Sequence, residues 1–184
     1  PFPIEWVRTY SSRFDAFDDS ELGARWVTEF TTRFDCKDDG LVFFGADGRS
    51  LDFPLPKVGL FHYDAVENLT LVRSGEDQLL VCFGFERKET YVRRGRSYWL
   101  TDVKMRSGAG LMLHYEHRHG DLLVLSDLIT YQGDVTQVHL HVGTLIDDQG
   151  RLAGLWEIRD GAPVPALHPA HPHGVHGFLR GDVA

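Results

Sequence analysis

TYSSRFDAFDDSEL, residues 9–22, places apolar side chains at helical intervals: counted from Val7 just upstream, Tyr10, Phe14 and Phe17 recur at steps of three and four. That spacing stacks side chains on one face of a helix. A short amphipathic helix is expected there. Asp18, Asp19 and Ser20 then offer N-cap side chains, and Glu21 suits the positive end of a helix dipole. Leu22, Trp26 and Phe30 repeat every fourth residue. The pattern predicts a break near Asp18 and a second helix, with helical character spanning about 4–31.

Beyond Thr31 the texture changes to strands punctuated by glycine turns. TTRFDC (31–36) and GLVFFG (40–45) are rich in strand formers, whereas the two prolines of LDFPLPKVG (51–59) argue for a loop. Further strands are expected near 66–73, 78–92, 97–106, 111–118, 122–131, 136–146 and 152–159, separated by SGED, RRGR, SGAG, HGD, QGD and DDQG. An antiparallel meander follows, with two helices packed on it. The expected organisation is one α+β domain over 1–162 and a Pro/Gly/His-rich C-terminal arm over 163–184, which holds His168, His171, His173 and His176.

Composition bounds the partners. The chain has 184 residues, 19 basic and 27 acidic side chains and a formal charge of −8. It lacks the basic footprint that nucleic acid or an anionic membrane selects. No apolar run reaches the ~18 residues of a spanning helix. Cys36 and Cys82 make no disulfide framework or zinc motif, so two reduced thiols and a cytoplasmic location are expected. The start at Pro1 leads to the expectation that a preceding segment was trimmed.

No nucleophile elbow, phosphate loop, zincin motif or dinucleotide fingerprint is present. Tyr10, in the apolar seam of the first expected helix, would aim a hydroxyl inward, where it either bonds a carbonyl or stabilises an oxyanion. Asp35 and Asp15 are candidate bases if the covered face of the sheet desolvates them, and ordinary solvated carboxylates otherwise. His117 and His119 lie two apart on one strand, as do His139 and His141, so each pair shares a face. Four converging imidazoles would suit a divalent metal, one alone an acid or base, and none a solvated sheet face. Tyr98 and Trp99 in SYWL, and Trp156 in GLWEIRD, either line a ligand cavity or pack the core.

The order of TYSSRFDAFDDSEL, TTRFDC and the late hairpin IDDQGRLAGLWEIRD resembles the NTF2-like superfamily, which includes ketosteroid isomerase, SnoaL-type cyclases and scytalone dehydratase. The resemblance implies a cone: two N-terminal helices packed in a strongly curved antiparallel β-sheet. A lipocalin-like β-barrel is the alternative, since the meander would suit it. Against ketosteroid isomerase, Tyr10 matches the oxygen-polarising tyrosine and Asp35 the proton-shuttling aspartate, with His139 or His141 in place of the second oxyanion donor. Against scytalone dehydratase, Asp15 would hold the water and His62 match the dehydratase histidine. The implied activity is a cofactor-independent acid/base enzyme, an isomerase, cyclase or dehydratase, acting on a small apolar oxygenated metabolite such as those of secondary metabolism. Its catalytic set would be Tyr10, Asp15, Asp35, His62, His139 and His141, and its substrate-binding set Trp26, Tyr98, Trp99, His117 and Trp156. No metal or other cofactor is expected in that reading, and a homodimer is. Two alternatives stand beside it: a non-catalytic small-molecule-binding or dimerisation module, and a metalloprotein ligated by His117, His119, His139 and His141.

Overall fold

The structure is a computed structural model that describes residues 2–117, 123–147, 151–159 and 162–163. Its strands are β1 (Thr9–Tyr10), β2 (Trp26–Val27), β3 (Arg33–Cys36), β4 (Leu41–Phe44), β5 (Ser50–Phe53), β6 (Phe61–Asp64), β7 (Leu69–Gly75) and β8 (Gln78–Phe83). They continue as β9 (Arg87–Arg94), β10 (Ser97–Met105), β11 (Ala109–His117), β12 (Leu123–Gln132), β13 (Asp134–Ile146), β14 (Leu152–Arg159) and β15 (Ala162–Pro163). A 3-10 turn at Asp15–Phe17 is the only helical element among the described residues.

Strands β6 to β15 form a meander in which each strand pairs antiparallel with the next, as short connections require. Gly95, at φ +64°, sits in the two-residue link between β9 and β10, a backbone region that β-branched and bulky residues avoid. The meander forks at β10. One edge of β10 pairs with β9 along its length, from Ser97 opposite Arg94 to Met105 opposite Arg87. The other edge is shared: Ser97, Tyr98 and Trp99 pair with Asp35, Phe34 and Arg33 of β3, while Asp102, Val103 and Lys104 pair with Met112, Leu111 and Gly110 of β11. A register shift between Leu100 and Asp102 falls at the changeover, where a bulge bends the strand away from a flat ladder. The 13-stranded sheet therefore has two arms, β3–β4–β5 and β11 to β15, leaving one strand.

Period-two burial builds the core. Leu69 and Leu71, Leu79 and Val81, Tyr98 and Leu100, and Leu111, Leu113 and Tyr115 are buried at alternate positions of their strands. The β3–β5 arm contributes Phe34, Leu41 and Phe53. Phe34 meets Tyr91 of β9 edge to face, with ring centroids 4.9 Å apart.

The first expectation to be overturned is the pair of N-terminal helices. Residues 2–32 are mainly irregular chain, tied by the two-residue β1–β2 pair, Thr9 with Val27 and Tyr10 with Trp26. Val7 and Tyr10 are exposed and only Phe14 and Phe17 of that stripe are buried, against Val27 and Phe44. Ser20 does accept a backbone N–H, from Leu22 at 3.2 Å, but its own hydroxyl donates to Trp26 O and no helix follows. Gly23 at φ +94° and Arg25 at φ +63° leave helical space, and Val27 and Thr28 disfavour it. Arg25 holds its turn by bonding Asp18 (2.6 Å) and Ser12 O (2.7 Å).

With the helices goes the NTF2-like assignment, including its SnoaL-like form: the α+β cone is replaced by an all-β forked sheet. The lipocalin-like barrel is also corrected, because the sheet is not closed by hydrogen bonds and β5, β6 and β15 are edges. LDFPLPKVG is a loop only from Pro54, since its first residues complete the edge strand β5. Of the C-terminal arm expected over 163–184, Pro163 pairs with Ile158 in β15, and the rest lies outside the described residues.

Candidate functional site

The expected catalytic residues lie on separate elements: β1, the 3-10 turn, β3, β6 and β13. Tyr10 is 54% exposed on β1, its ring beside Trp26, and Asp15 is exposed in the 3-10 turn. Asp35 on β3 is taken up by Arg33, whose Nε donates at 2.9 Å, and by Ser97 Oγ at 2.6 Å. His62 lies on edge strand β6 with its ring 6.4 Å from that of Phe53. On β13, His139 is exposed and His141 Nε2 lies 2.8 Å from Asp127 Oδ1.

The expected substrate-binding residues lie on β2, β10, β11 and β14. Trp26 packs under Arg8, Tyr98 is buried with its hydroxyl donating to Glu76 O, and Trp156 is half-buried on β14 opposite Gly143. Trp99 meets Tyr115 at 5.4 Å between centroids. His119 and the side chain of His117 lie outside the described residues, so the four-histidine arrangement is seen only in its β13 half. Among the described residues no three His, Cys, Asp or Glu side chains come together as metal ligands. Arg33 connects two of the expected residues: it bonds Asp35 and lies over Trp99 (5.1 Å) and Phe17 (4.2 Å).

Among the described residues, one concave feature with an apolar lining is a cleft of about 350 Å³ between the β4–β5 hairpin and strands β7–β9. Its floor is apolar: Phe43 and Leu51 on one side, Leu69 and Phe83 on the other. Arg49 braces the mouth, bonding Asp47 at 2.6 Å and both carboxylate oxygens of Glu67 at 3.2 Å. Deeper in, Glu89 is a buried carboxylate with both oxygens occupied, by Tyr91 Oη and Arg87 Nε, each at 2.7 Å. Thr32 Oγ1 completes the chain at 3.2 Å from Tyr91 Oη. Burial, then the adjacent charge of Glu89, holds the Tyr91 phenol well above its ordinary range, so it is a fixed donor rather than an acid.

Glu29 differs from Glu89. Its nearest described cation, Arg87, is 3.9 Å away, beyond hydrogen-bond reach. Burial raises its pKa, the charge of Arg87 opposes that, and Glu89 and Glu5 add to it. The cleft thus combines an apolar floor with one carboxylate that pairs with Arg87 across 3.9 Å and holds no hydrogen bond from it. The signal for it lay in KETYV (88–92), where Glu and Tyr alternate with outward residues; which phase faces inward depends on the fork at β10.

A second carboxyl, Glu21, is buried where the N-terminal segment meets the other arm. Its Oε1 accepts from Leu125 N at 3.3 Å and its carbonyl from Leu152 N at 2.7 Å. Burial pushes its pKa to about 7, opposed by the Leu125 hydrogen bond and the charge of Arg33. The adjoining cavity, lined by Trp99 and Arg33, is about 80 Å³, room for water but not for a metabolite.

Residues 1–53 match a family described as a domain of unknown function (DUF6531), a match covering less than a third of the 184-residue chain. No curated protein matches the sequence.

Proposed function

We propose that the chain is a non-catalytic binding module whose β4–β9 cleft takes a small amphipathic cation, an apolar body carrying an ammonium or related group. The observation that carries this reading is the apolar floor of a cleft of about 350 Å³ beside Glu29, a carboxylate whose ion pair with Arg87 is long, at 3.9 Å. Pockets of this size hold fragment-sized ligands, and a few placed polar groups orient them. The dispersal of Tyr10, Asp15, Asp35, His62, His139 and His141 favours binding over acid/base turnover, which needs base and oxyanion donor within reach of one reacting atom. Tyr91 and Glu89 are satisfied by each other and by Arg87, which suits a rigid wall better than a moving proton.

Calorimetric titration with a phenylalkylammonium probe, its isosteric alcohol and its carboxylate tests the proposal. The ammonium binds saturably, the alcohol more weakly and the carboxylate not at all. Glu29→Gln lowers the ammonium affinity about tenfold, the order expected for a charge-assisted hydrogen bond. Equal binding of all three probes, or none, overturns it.

A further inference from the structure

β6 ends the strand order, and among the described residues nothing pairs with its outer edge. Arg73 N–H donates to Leu60 O at 3.1 Å across the β6–β7 pair. Hydrogen-bonded pairs alternate along an antiparallel ladder, so His62 opposite Leu71 and Asp64 opposite Leu69 continue the series toward β7. Phe61 and Tyr63 therefore turn their N–H and C=O groups to the open side. Their side chains share a face and are 68% and 54% exposed, while His62 points the other way, against Phe53. Val58 and Leu60, just upstream, are exposed too. Natural edge strands are blunted by shortness, charge, proline or a bulge; β6 is short and ends in Asp64, whose carboxylate turns back to accept from Val66 and Glu67 N–H, and residues 61–63 carry neither charge nor proline.

We infer that this edge is a dimerisation surface and that its occupant is a second copy of the chain, paired β6 to β6 about a two-fold axis. The edge is self-complementary in the way an isologous contact requires. With His62 on the axis, Phe61 stands opposite the partner's Tyr63 and Tyr63 opposite the partner's Phe61. The four outward N–H and C=O pairs then close four main-chain hydrogen bonds. The same register sets two aromatic cross-strand pairs on one face, the arrangement that contributes most to sheet pairing. With four strand residues a side the contact is smaller than a standard interface, which implies a weak, reversible dimer.

Sedimentation velocity on the full chain, from about 1 to 300 µM, reads this out. The expected result is a monomer–dimer equilibrium with Kd of roughly tens of micromolar. Tyr63→Pro removes an outward N–H without touching the β7 ladder, and Phe61→Lys places a charge on the edge with the backbone unchanged. Each weakens association at least tenfold. Should Tyr63→Pro fail to fold by circular dichroism, Phe61→Lys decides. A wild-type monomer throughout the range, or a dimer that Phe61→Lys leaves intact, overturns the proposal. So do oligomers beyond the dimer, which would mean head-to-tail pairing of β6 with the edge of β5 or β15.

Discussion

Residues 2–32 and the strands from β6 to β12 both bury large apolar side chains, but different bonds hold them. In the meander each buried residue sits in a ladder whose backbone groups are paired by neighbours, so side-chain burial and backbone satisfaction come from one repeating geometry. In the N-terminal segment, Trp6, Phe14, Phe17, Leu22 and Phe30 are buried too, yet much of the backbone is satisfied by single turns and side chains. Thr31 Oγ1 accepts from Thr28 N, Thr28 Oγ1 accepts from Phe30 N, and the Tyr115 hydroxyl donates to Phe30 O at 2.7 Å. The segment is a plug shaped by the fork it fills. The meander is shaped by its own repeat.

That contrast can be broken most forcefully within the meander, at Gly110. A Cβ there would lie 2.0 Å from the ring of Tyr131, its cross-strand partner, whose hydroxyl crosses β11 to donate to Asp102 at 2.8 Å. Gly110→Val displaces the buried ring and strips Asp102 of its donor. A loss of about 3 kcal/mol or more in urea unfolding is expected, from overpacking plus a half-buried carboxylate left without its donor. In a Tyr131→Ala background most of the added cost of the valine disappears. A full cost persisting there would place the strain elsewhere.

Glu21 sits on the boundary between the two regions, and its effect has a sign. The folded pKa of about 7 lies above the ordinary 4.5, so between those values the folded state holds a proton that the unfolded state has released. Stability is therefore full below about pH 4.5, falls as pH rises through 7, and is flat above. The two-and-a-half-unit gap corresponds to about 3 kcal/mol at most. Glu21→Gln removes this component, so wild type should lose more stability than the variant between pH 5 and pH 8. Parallel stability curves over that range would mean that the plug is not held through this carboxyl.

The same division explains what was legible beforehand. Strands expected at 97–106, 111–118, 136–146 and 152–159 are found at Ser97–Met105, Ala109–His117, Asp134–Ile146 and Leu152–Arg159, because period-two burial and glycine turns are local signals. The run 78–92 hides a turn at Gly84, φ +56°, and is two strands. Helical spacing at the N-terminus misled because residues three and four apart can also alternate in and out of an irregular chain whose neighbours, Phe44 and Tyr115, are remote in sequence. The NTF2-like resemblance leaned on that spacing and fell with it. The cleft was hidden for a related reason: Glu89 and Tyr91 read as ordinary strand residues until β10 shares its edge between β3 and β11, which decides which face of β9 is enclosed.

The smallest predicted effect discriminates most directly between a plug and a helix. On a helical stripe Val7 would share the buried face with Phe14 and Phe17, and Val7→Ser would cost roughly 1–3 kcal/mol in lost burial. In the structure Val7 is 63% exposed while Phe14 and Phe17 are buried. Val7→Ser should then shift stability by no more than about 0.5 kcal/mol, the usual range for a surface site. Phe14→Ala, at 1% exposure and flanked by the rings of Phe17 and Phe44 at 5.6 and 5.1 Å, should cost about 3 kcal/mol or more. The ratio of the two losses, read from the same denaturation series, is the measurement. Comparable costs would restore a common buried stripe, whereas a large asymmetry means that what fixes residues 2–32 is contact with the fork and not a period of their own.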